Sequence, residues 1–303
     1  MQHFFKWFSA VLVIMIIVGG GWFWLQHQPG SKNLSQRKPI VQKTVRVVGV
    51  GDSLTQGIGY ADDHKGYLPL LKKQLKQTYY VKPQTANFGI GGERSDQIDH
   101  RVQTSQKLRR SLRRADVIAV TAGGNDLLQA LEKNIMVNND AQMTNHLAPL
   151  KTAYQQKLTQ LIADVREVNP HAQIYLFGIY NPVYVYFTNA TMITTAVNQW
   201  NQVNREVAEA QSQTHFVNID SVLSFGQYQS ASAQAKLKAE NRQNDQAFVD
   251  PQKVEKLLQT QDSKEKNAYL STEDHFHPNK KGYNVMASKL NRQIQSNVNW
   301  HKR

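Results

Sequence analysis

The chain contains no cysteine. That excludes disulfides, thiolate metal sites, a cysteine nucleophile and a lipidated N-terminal cysteine. It leaves export open, because disulfides are permitted outside the cell but not required there. Carboxylates are in deficit: 23 Asp and Glu stand against 36 Lys and Arg, a formal charge of +13. This balance points to an anionic neighbour, whether nucleic acid, phospholipid headgroups or an acidic cell-wall polymer. No nucleic-acid partner is expected, since zinc-finger spacing and RNP-like aromatic motifs are both missing. Nucleotide-binding signatures are missing too. Gly49-x-Gly51, Gly57-x-Gly59 and Gly89-x-Gly91 each stop short of G-x-G-x-x-G, and no G-x-x-x-x-G-K-[ST] occurs. There is no internal repeat. At 303 residues and 40% hydrophobic, the chain has material for one large or two small globular domains.

Long apolar runs are also scarce, and the one present is N-terminal. Trp7 to Leu25 is uncharged and about long enough to cross a bilayer, with Trp7 at one end and Trp22 and Trp24 at the other, where interfacial aromatics belong. No A-x-A-like site follows, so an uncleaved anchor is expected over residues 1–25, with a cleaved signal peptide as the alternative. Residues 26–43 are polar, carry Pro29, Gly30 and Pro39, and read as a linker. Lys32, Arg37, Lys38, Lys43 and Arg46 follow the span, which by the positive-inside rule would keep that side cytoplasmic. A short N-terminal anchor ahead of one globular domain more often exports it. The expectation is therefore a single-pass membrane protein with its domain, residues 44–298, outside the cell.

Within that domain apolar runs alternate with amphipathic stretches. Strands are expected at Val45–Val50, Thr85–Phe88, Asp116–Thr121, Gln173–Ile179 and His215–Ile219. Helices are expected at Gly66–Thr78, Ser95–Arg114, Thr152–Val168, Thr191–Ala210 and Pro278–Ile294. Asn134–Thr144, Tyr180–Ala190 and Asp220–Thr272 read as irregular, the last with short helices such as Asp250–Leu258. Alternating strand and helix predicts a parallel sheet between helical layers.

Chemistry in such sheets collects beyond the carboxyl ends of the strands. Gly51-Asp52-Ser53-Leu54 follows the first strand, Gly89-Ile90-Gly91-Gly92-Glu93 the second, and Gly123-Gly124-Asn125-Asp126 the third. If the second and third strands flank the first, these loops meet. Asp274-His275-Phe276-His277-Pro278 opens the last helix. A serine at a strand–helix junction is exposed, and His277 can serve as its base. Asp274, three residues earlier, can accept from the imidazole and fix its tautomer. The backbone N–H groups of Ser53 and Gly92 and the amide of Asn125 are the kind of donors a tetrahedral oxyanion requires. Each motif alone has a plainer reading. Gly51–Leu54 is a turn, Asn125-Asp126 a helix cap, His277 a surface histidine. A metal site from Asp274, His275 and His277 is a further alternative, weakened because residues two apart in an extended segment point to opposite sides. Arg109, Arg110, Arg113 and Arg114 form a basic helix face that reads as a solvated surface or as a site for an anionic polymer.

Together the four blocks resemble the GDSL lipases and esterases, also called SGNH hydrolases. The likeness covers Arg46 to about Ile294. The N-terminal span, Gly92–Ile98, Ile179–Pro182 and the Trp200-Asn201 pair are similar to a membrane-anchored, YpmR-like branch in Gram-positive bacteria. The resemblance implies a three-layer α/β/α sandwich of flavodoxin-like type. It implies a nucleophile at Ser53, a triad completed by His277 and Asp274, and an oxyanion hole of Ser53, Gly92 and Asn125. The reaction implied is hydrolysis of a carboxylic ester, of a small molecule, lipid or acetylated glycan, with no metal and no organic cofactor. Glu93, where many relatives carry Asp or Asn, is a departure that leaves the catalytic set untouched. Tyr180, Tyr184, Tyr186 and Phe187 are candidates for an acyl pocket, with plain packing as the alternative.

Overall fold

The computed structural model describes residues 42–60, 66–132, 140–189, 191–241 and 265–302. The N-terminal apolar run and the expected short helix Asp250–Leu258 lie outside the described residues. Among the described residues no helix is long and apolar enough to cross a membrane.

Five strands form one parallel sheet: β1 (Lys43–Gly51), β2 (Val81–Gly89), β3 (Val117–Thr121), β4 (Gln173–Phe177) and β5 (Thr214–Val217), in the order β2-β1-β3-β4-β5. This is the flavodoxin-like order, and its switch point lies between β1 and β3. Ten helices are described: α1 (Ser53–Gln56), α2 (Tyr67–Thr78), α3 (Ser95–Thr104), α4 (Gln106–Arg113), α5 (Gly124–Glu132), α6 (Asp140–Val168), α7 (Thr191–Glu209), α8 (Asp220–Phe225), α9 (Ala231–Glu240) and α10 (Lys280–Asn297).

Side chains alternate along each strand, so the sheet feeds two cores. Val48, Val50, Ile118 and Val120 pack with Leu108 of α4, Leu158 of α6 and Trp200 of α7. Val45, Val47, Val117 and Ala119 pack with Leu71 of α2 and Met286 of α10 on the opposite face. Both faces of β3 are therefore buried, which explains its unbroken apolar sequence.

The register positions the chemistry. Gly51 pairs with Gly89 on one side and with Thr121 on the other. The loops beginning at Asp52, Ile90 and Ala122 thus leave the sheet at one level.

Several boundaries differ from the sequence expectation. β2 runs from Val81 through Pro83, which an edge strand tolerates because its outer N–H need not enter a ladder. The single helix expected at Ser95–Arg114 is two, separated at Ser105, whose hydroxyl caps the second by accepting from Leu108 N–H. The helix expected from Thr152 begins at Asp140 and passes through Pro149. The short helices expected within the irregular stretch from Asp220 include α8 and α9. The last helix starts at Lys280, with Asn279 as its cap accepting from Lys281 and Gly282 N–H, so Pro278 precedes it.

Candidate active site

Three of the expected residues form one hydrogen-bonded chain. His277 Nε2 lies 2.9 Å from Ser53 Oγ, and His277 Nδ1 lies 2.6 Å from Asp274 Oδ2. An ionised carboxylate only accepts, so Nδ1 carries the proton and Nε2 presents its lone pair to the serine O–H. Asp274 Oδ1 also accepts from the backbone N–H groups of Phe276 and His277 at 3.0 and 2.9 Å. Burial pushes the Asp274 carboxyl up, but these bonds and the neighbouring imidazole outweigh it and hold the group below its ordinary value.

Ser53 is buried, with 7% of its surface exposed, and not open as a strand–helix junction suggests. It is the first residue of the one-turn α1, whose cap is Asp52. Asp52 Oδ1 accepts from Leu54 N–H at 3.0 Å and from Thr121 Oγ1 at 2.7 Å. The network continues through Thr55 to the Tyr67 hydroxyl. Burial raises the Asp52 carboxyl above its ordinary value, partly offset by the Thr121 and Leu54 bonds. Asp52 was not singled out from the sequence, although it lies within the same motif as Ser53.

The second loop folds over the serine. Ile90 N–H donates to Gly51 O and Gly91 N–H to Gln56 Oε1. Gly92 has φ +79°, where an L side chain is strained. A Cβ built there meets nothing within 4 Å, so backbone conformation, and not close approach, requires this glycine. Gly89 is the opposite case, since a Cβ there would fall 2.0 Å from Gln56 N.

Asn125 does not cap its helix. α5 starts at Gly124, and Leu127 N–H donates to Gly123 O. The Asn125 amide instead donates to Glu93 O at 2.8 Å, tying the third loop to the second. An amide has two N–H groups, and the other makes no hydrogen bond among the described residues. Asp126 caps a different helix, accepting from Ser95 N–H and Oγ at the start of α3. Glu93 is also less neutral than its sequence suggested, because its carboxylate holds Arg101 at 2.6 Å.

His275, offered by the sequence as a metal ligand beside His277, faces another way. It is 2% exposed, and its Nδ1 bonds the buried carboxylate of Glu265. Its backbone is left-handed, with φ +52°. Tyr180 donates its hydroxyl to Phe276 O, and Tyr283 donates to Ile58 O. None of these supports had a local sequence signal, because their partners are distant in the chain or lie in stretches read as irregular.

The aromatic loop after β4 packs into the body of the domain, with Tyr180, Tyr184 and Phe187 buried. Tyr180 belongs to the core around α2 and α10. Tyr184 lies against Phe225 with ring centroids 4.6 Å apart, and Tyr186 meets His275 edge-on. A cavity of about 340 Å³ between α5 and α6 is lined by Arg94, Asp126, Tyr154 and Lys157, among others, and not by Ser53 or His277.

Comparison with known proteins agrees with this geometry. Over 253 residues the chain is 25% identical to the uncharacterized protein YpmR of Bacillus subtilis (strain 168), spanning 82% of this chain and 81% of that one. The lipase Lip_vut3 from a goat rumen metagenome shares the fold with a TM-score of 0.59 at 18% identity, over 82% of this chain and 96% of its own. A catalytic mutant of Axe2, an acetylxylan esterase from Geobacillus stearothermophilus, does so with a TM-score of 0.51 at 16% identity, over 86% and 98%. The GDSL-like Lipase/Acylhydrolase profile matches residues 50–285. With its motifs at the aligned strand ends and that profile spanning most of its length, the chain belongs to the GDSL-like lipase/acylhydrolase family, and is a carboxylic ester hydrolase.

Proposed function

We propose that the protein cleaves esters of short acyl groups through an acyl-enzyme intermediate on Ser53. The observation that carries this reading is the Ser53–His277–Asp274 chain, at 2.9 and 2.6 Å. Ser53 Oγ attacks the ester carbonyl while its proton passes to His277 Nε2. The carbonyl oxygen becomes an oxyanion, received by the N–H groups of Ser53 and Gly92 and the second N–H of the Asn125 amide. The oxyanion collapses, the C–O bond to the alcohol breaks, and His277 returns its proton to the departing oxygen. Water then attacks the acyl-enzyme with His277 again as base, which releases the acid and restores Ser53. Asp274 holds the imidazole in the tautomer this requires and stabilises its cationic form.

The short acyl group is supported by the packing of Tyr180, Tyr184 and Tyr186 against other side chains of the domain, which leaves these rings engaged in packing contacts. The acetylxylan esterase among the structural neighbours favours an O-acetylated glycan as the second, narrower reading. The membrane enters the same proposal: Trp7–Leu25 anchors the chain, and the hydrolase domain stands outside the cell. A chain-length series of p-nitrophenyl esters run beside an O-acetylated glycan tests the substrate. Fastest turnover at acetate or butyrate is expected, and a maximum at long acyl chains would contradict it. Full activity in a folded Ser53→Ala protein would remove the nucleophile.

A further inference from the structure

The end of the sheet opposite Ser53 is strongly basic. Lys43 and Lys82 begin β1 and β2, Lys76 lies in the last turn of α2, and Arg113 and Arg114 close α4 just before β3. Lys302 is bridged to Tyr79. All six cations are exposed. Asp116 sits among them, but it already accepts from Arg46 N–H at 2.8 Å and lies 3.9 Å from Lys43 Nζ. The carboxylates of Glu167 and Glu209 lie at the same end beyond β4 and β5, where α6 and α7 finish. The positive field is therefore concentrated under β2, β1 and β3.

Two aromatic side chains share this patch. Tyr80 is 39% exposed. Trp300 is half-buried and stands edge-on to Tyr79, with ring centroids 5.3 Å apart. Tyr80 N–H donates to His301 O, which pins the C-terminal segment across this end. Cations alone suit any polyanion. Cations together with Tyr and Trp suit a phospholipid interface, where amphipathic rings sit at headgroup level.

The position of the chain outside the described residues selects the same partner. Residues 1–41 join the domain at this end, immediately before Lys43, and include the uncharged run Trp7–Leu25. The intervening Gln26–Gln42 reaches at most about 60 Å when fully extended, so an anchored chain holds this face near the bilayer at high effective concentration.

We propose that the amino end of the sheet docks on anionic phospholipid headgroups of the membrane that carries the anchor. The proposal rests on the anchor reading given above and assigns it a contact surface and an orientation. Ser53 then faces away from that membrane, roughly 30 Å beyond the headgroups, the length of β1. The enzyme serves esters presented from the far side, such as those of a wall glycan or a soluble molecule, and not the acyl chains of its own bilayer.

The cysteine-free chain allows a direct test. Full-length Asn299→Cys and Leu128→Cys proteins, each carrying a polarity-sensitive fluorophore, are reconstituted into vesicles of phosphatidylcholine with and without phosphatidylglycerol. A blue shift is expected at residue 299 in the anionic vesicles only, reversed by high salt, and none at residue 128. Combining Arg113→Gln, Arg114→Gln and Lys302→Gln should abolish the shift, while hydrolysis of a soluble ester shows that the domain remains folded. An unshifted probe at 299, or a shift at 128 instead, overturns the proposal. So does a shift that persists in Tyr80→Ser/Trp300→Ser and is reproduced by soluble polyglutamate without vesicles, which would make the patch a site for a free polyanion. Protein that fails to sediment with either vesicle removes the anchor and the docking surface together, whereas sedimentation without the shift removes the surface alone.

Discussion

Arg101 closes on Glu93, with its Nη2 2.6 Å from Oε2 and its Nε 2.7 Å from the same oxygen. The same guanidinium donates to Phe88 O and Gly51 O, each at 3.1 Å. One side chain thus holds the ends of β1 and β2 and the residue after Gly92. Both partners are mostly buried, so the pair is little screened by salt. Its role is to keep the Gly91-Gly92 turn over Ser53.

Arg101→Met should therefore lower kcat while leaving KM nearly constant. A loop misplaced by about 1 Å costs on the order of 10²-fold. Arg101→Lys should rescue little, because an ammonium cannot match a planar fork that serves three acceptors. Steady-state kinetics of both variants test this. Normal kcat in Arg101→Met, with only a lower melting temperature, would reduce the pair to a stabilising role.

Glu265 and His275 support the site from below. The left-handed His275 lies between Asp274 and His277, and its buried imidazole is held by Glu265. Glu265→Leu leaves a buried N–H without its acceptor, at a cost of about 1–3 kcal/mol. A lower melting temperature and a lower kcat should appear together. Unchanged kcat at a temperature where the variant is fully folded would show that the Asp274–His277 turn does not depend on this anchor.

Asp99 gives the domain a pH-sensitive contact between helices. Burial first, and then the neighbouring Asp164, raise its carboxyl to about 7. Gln103 Nε2 donates to both carboxylates, at 3.0 and 2.7 Å. With the folded value above the unfolded one, the native state binds the extra proton. Stability is then fully present below about pH 4 and is lost as pH rises towards 7. Asp99→Asn should melt a few degrees above the parent at pH 8 and level with it near pH 4. A difference in melting temperature that does not change with pH would refute the assignment.

Much of this was readable in the chain, for physical reasons that also explain what was not. Val45–Val50 and Asp116–Thr121 announced themselves because buried parallel strands need continuous β-branched sequence. The second strand looked short because Pro83 is acceptable only at a sheet edge, and edge position is a property of the assembled sheet. The grouping of Ser53, Asp274 and His277 was legible because each sits in a short motif whose chemistry is local. Their supports were not. Asp52 meets Thr121 across 69 residues and Glu265 meets His275 across 10. Such contacts exist only once the fold brings them together. The cap reading of Asn125 failed for a related reason, since α5 begins at Gly124, two residues earlier than the motif suggested.

That relocation sharpens what Asn125→Ala should do. The side-chain amide has one N–H on Glu93 O and one left for an oxyanion. Losing an oxyanion donor costs about 10²–10³ in kcat, or roughly 3–4 kcal/mol, and changes KM much less, because the charge exists only in the transition state. Losing the bond to Glu93 O adds a looser Gly92 turn, which also acts on kcat. A helix cap would have cost about 1 kcal/mol of stability with turnover intact, and Asn125 is not placed to be one. Asn125→Asp removes both contributions and adds a charge. A carboxylate can neither donate to Glu93 O nor receive an oxyanion, so it should be at least as inactive as alanine, with the melt reporting the added repulsion. Kinetics and thermal melting of both variants decide the matter. Near-normal kcat in Asn125→Ala removes the residue from the mechanism. An effect confined to KM assigns it to uniform binding of substrate, and a large fall in kcat with little change in melting temperature fits the oxyanion role.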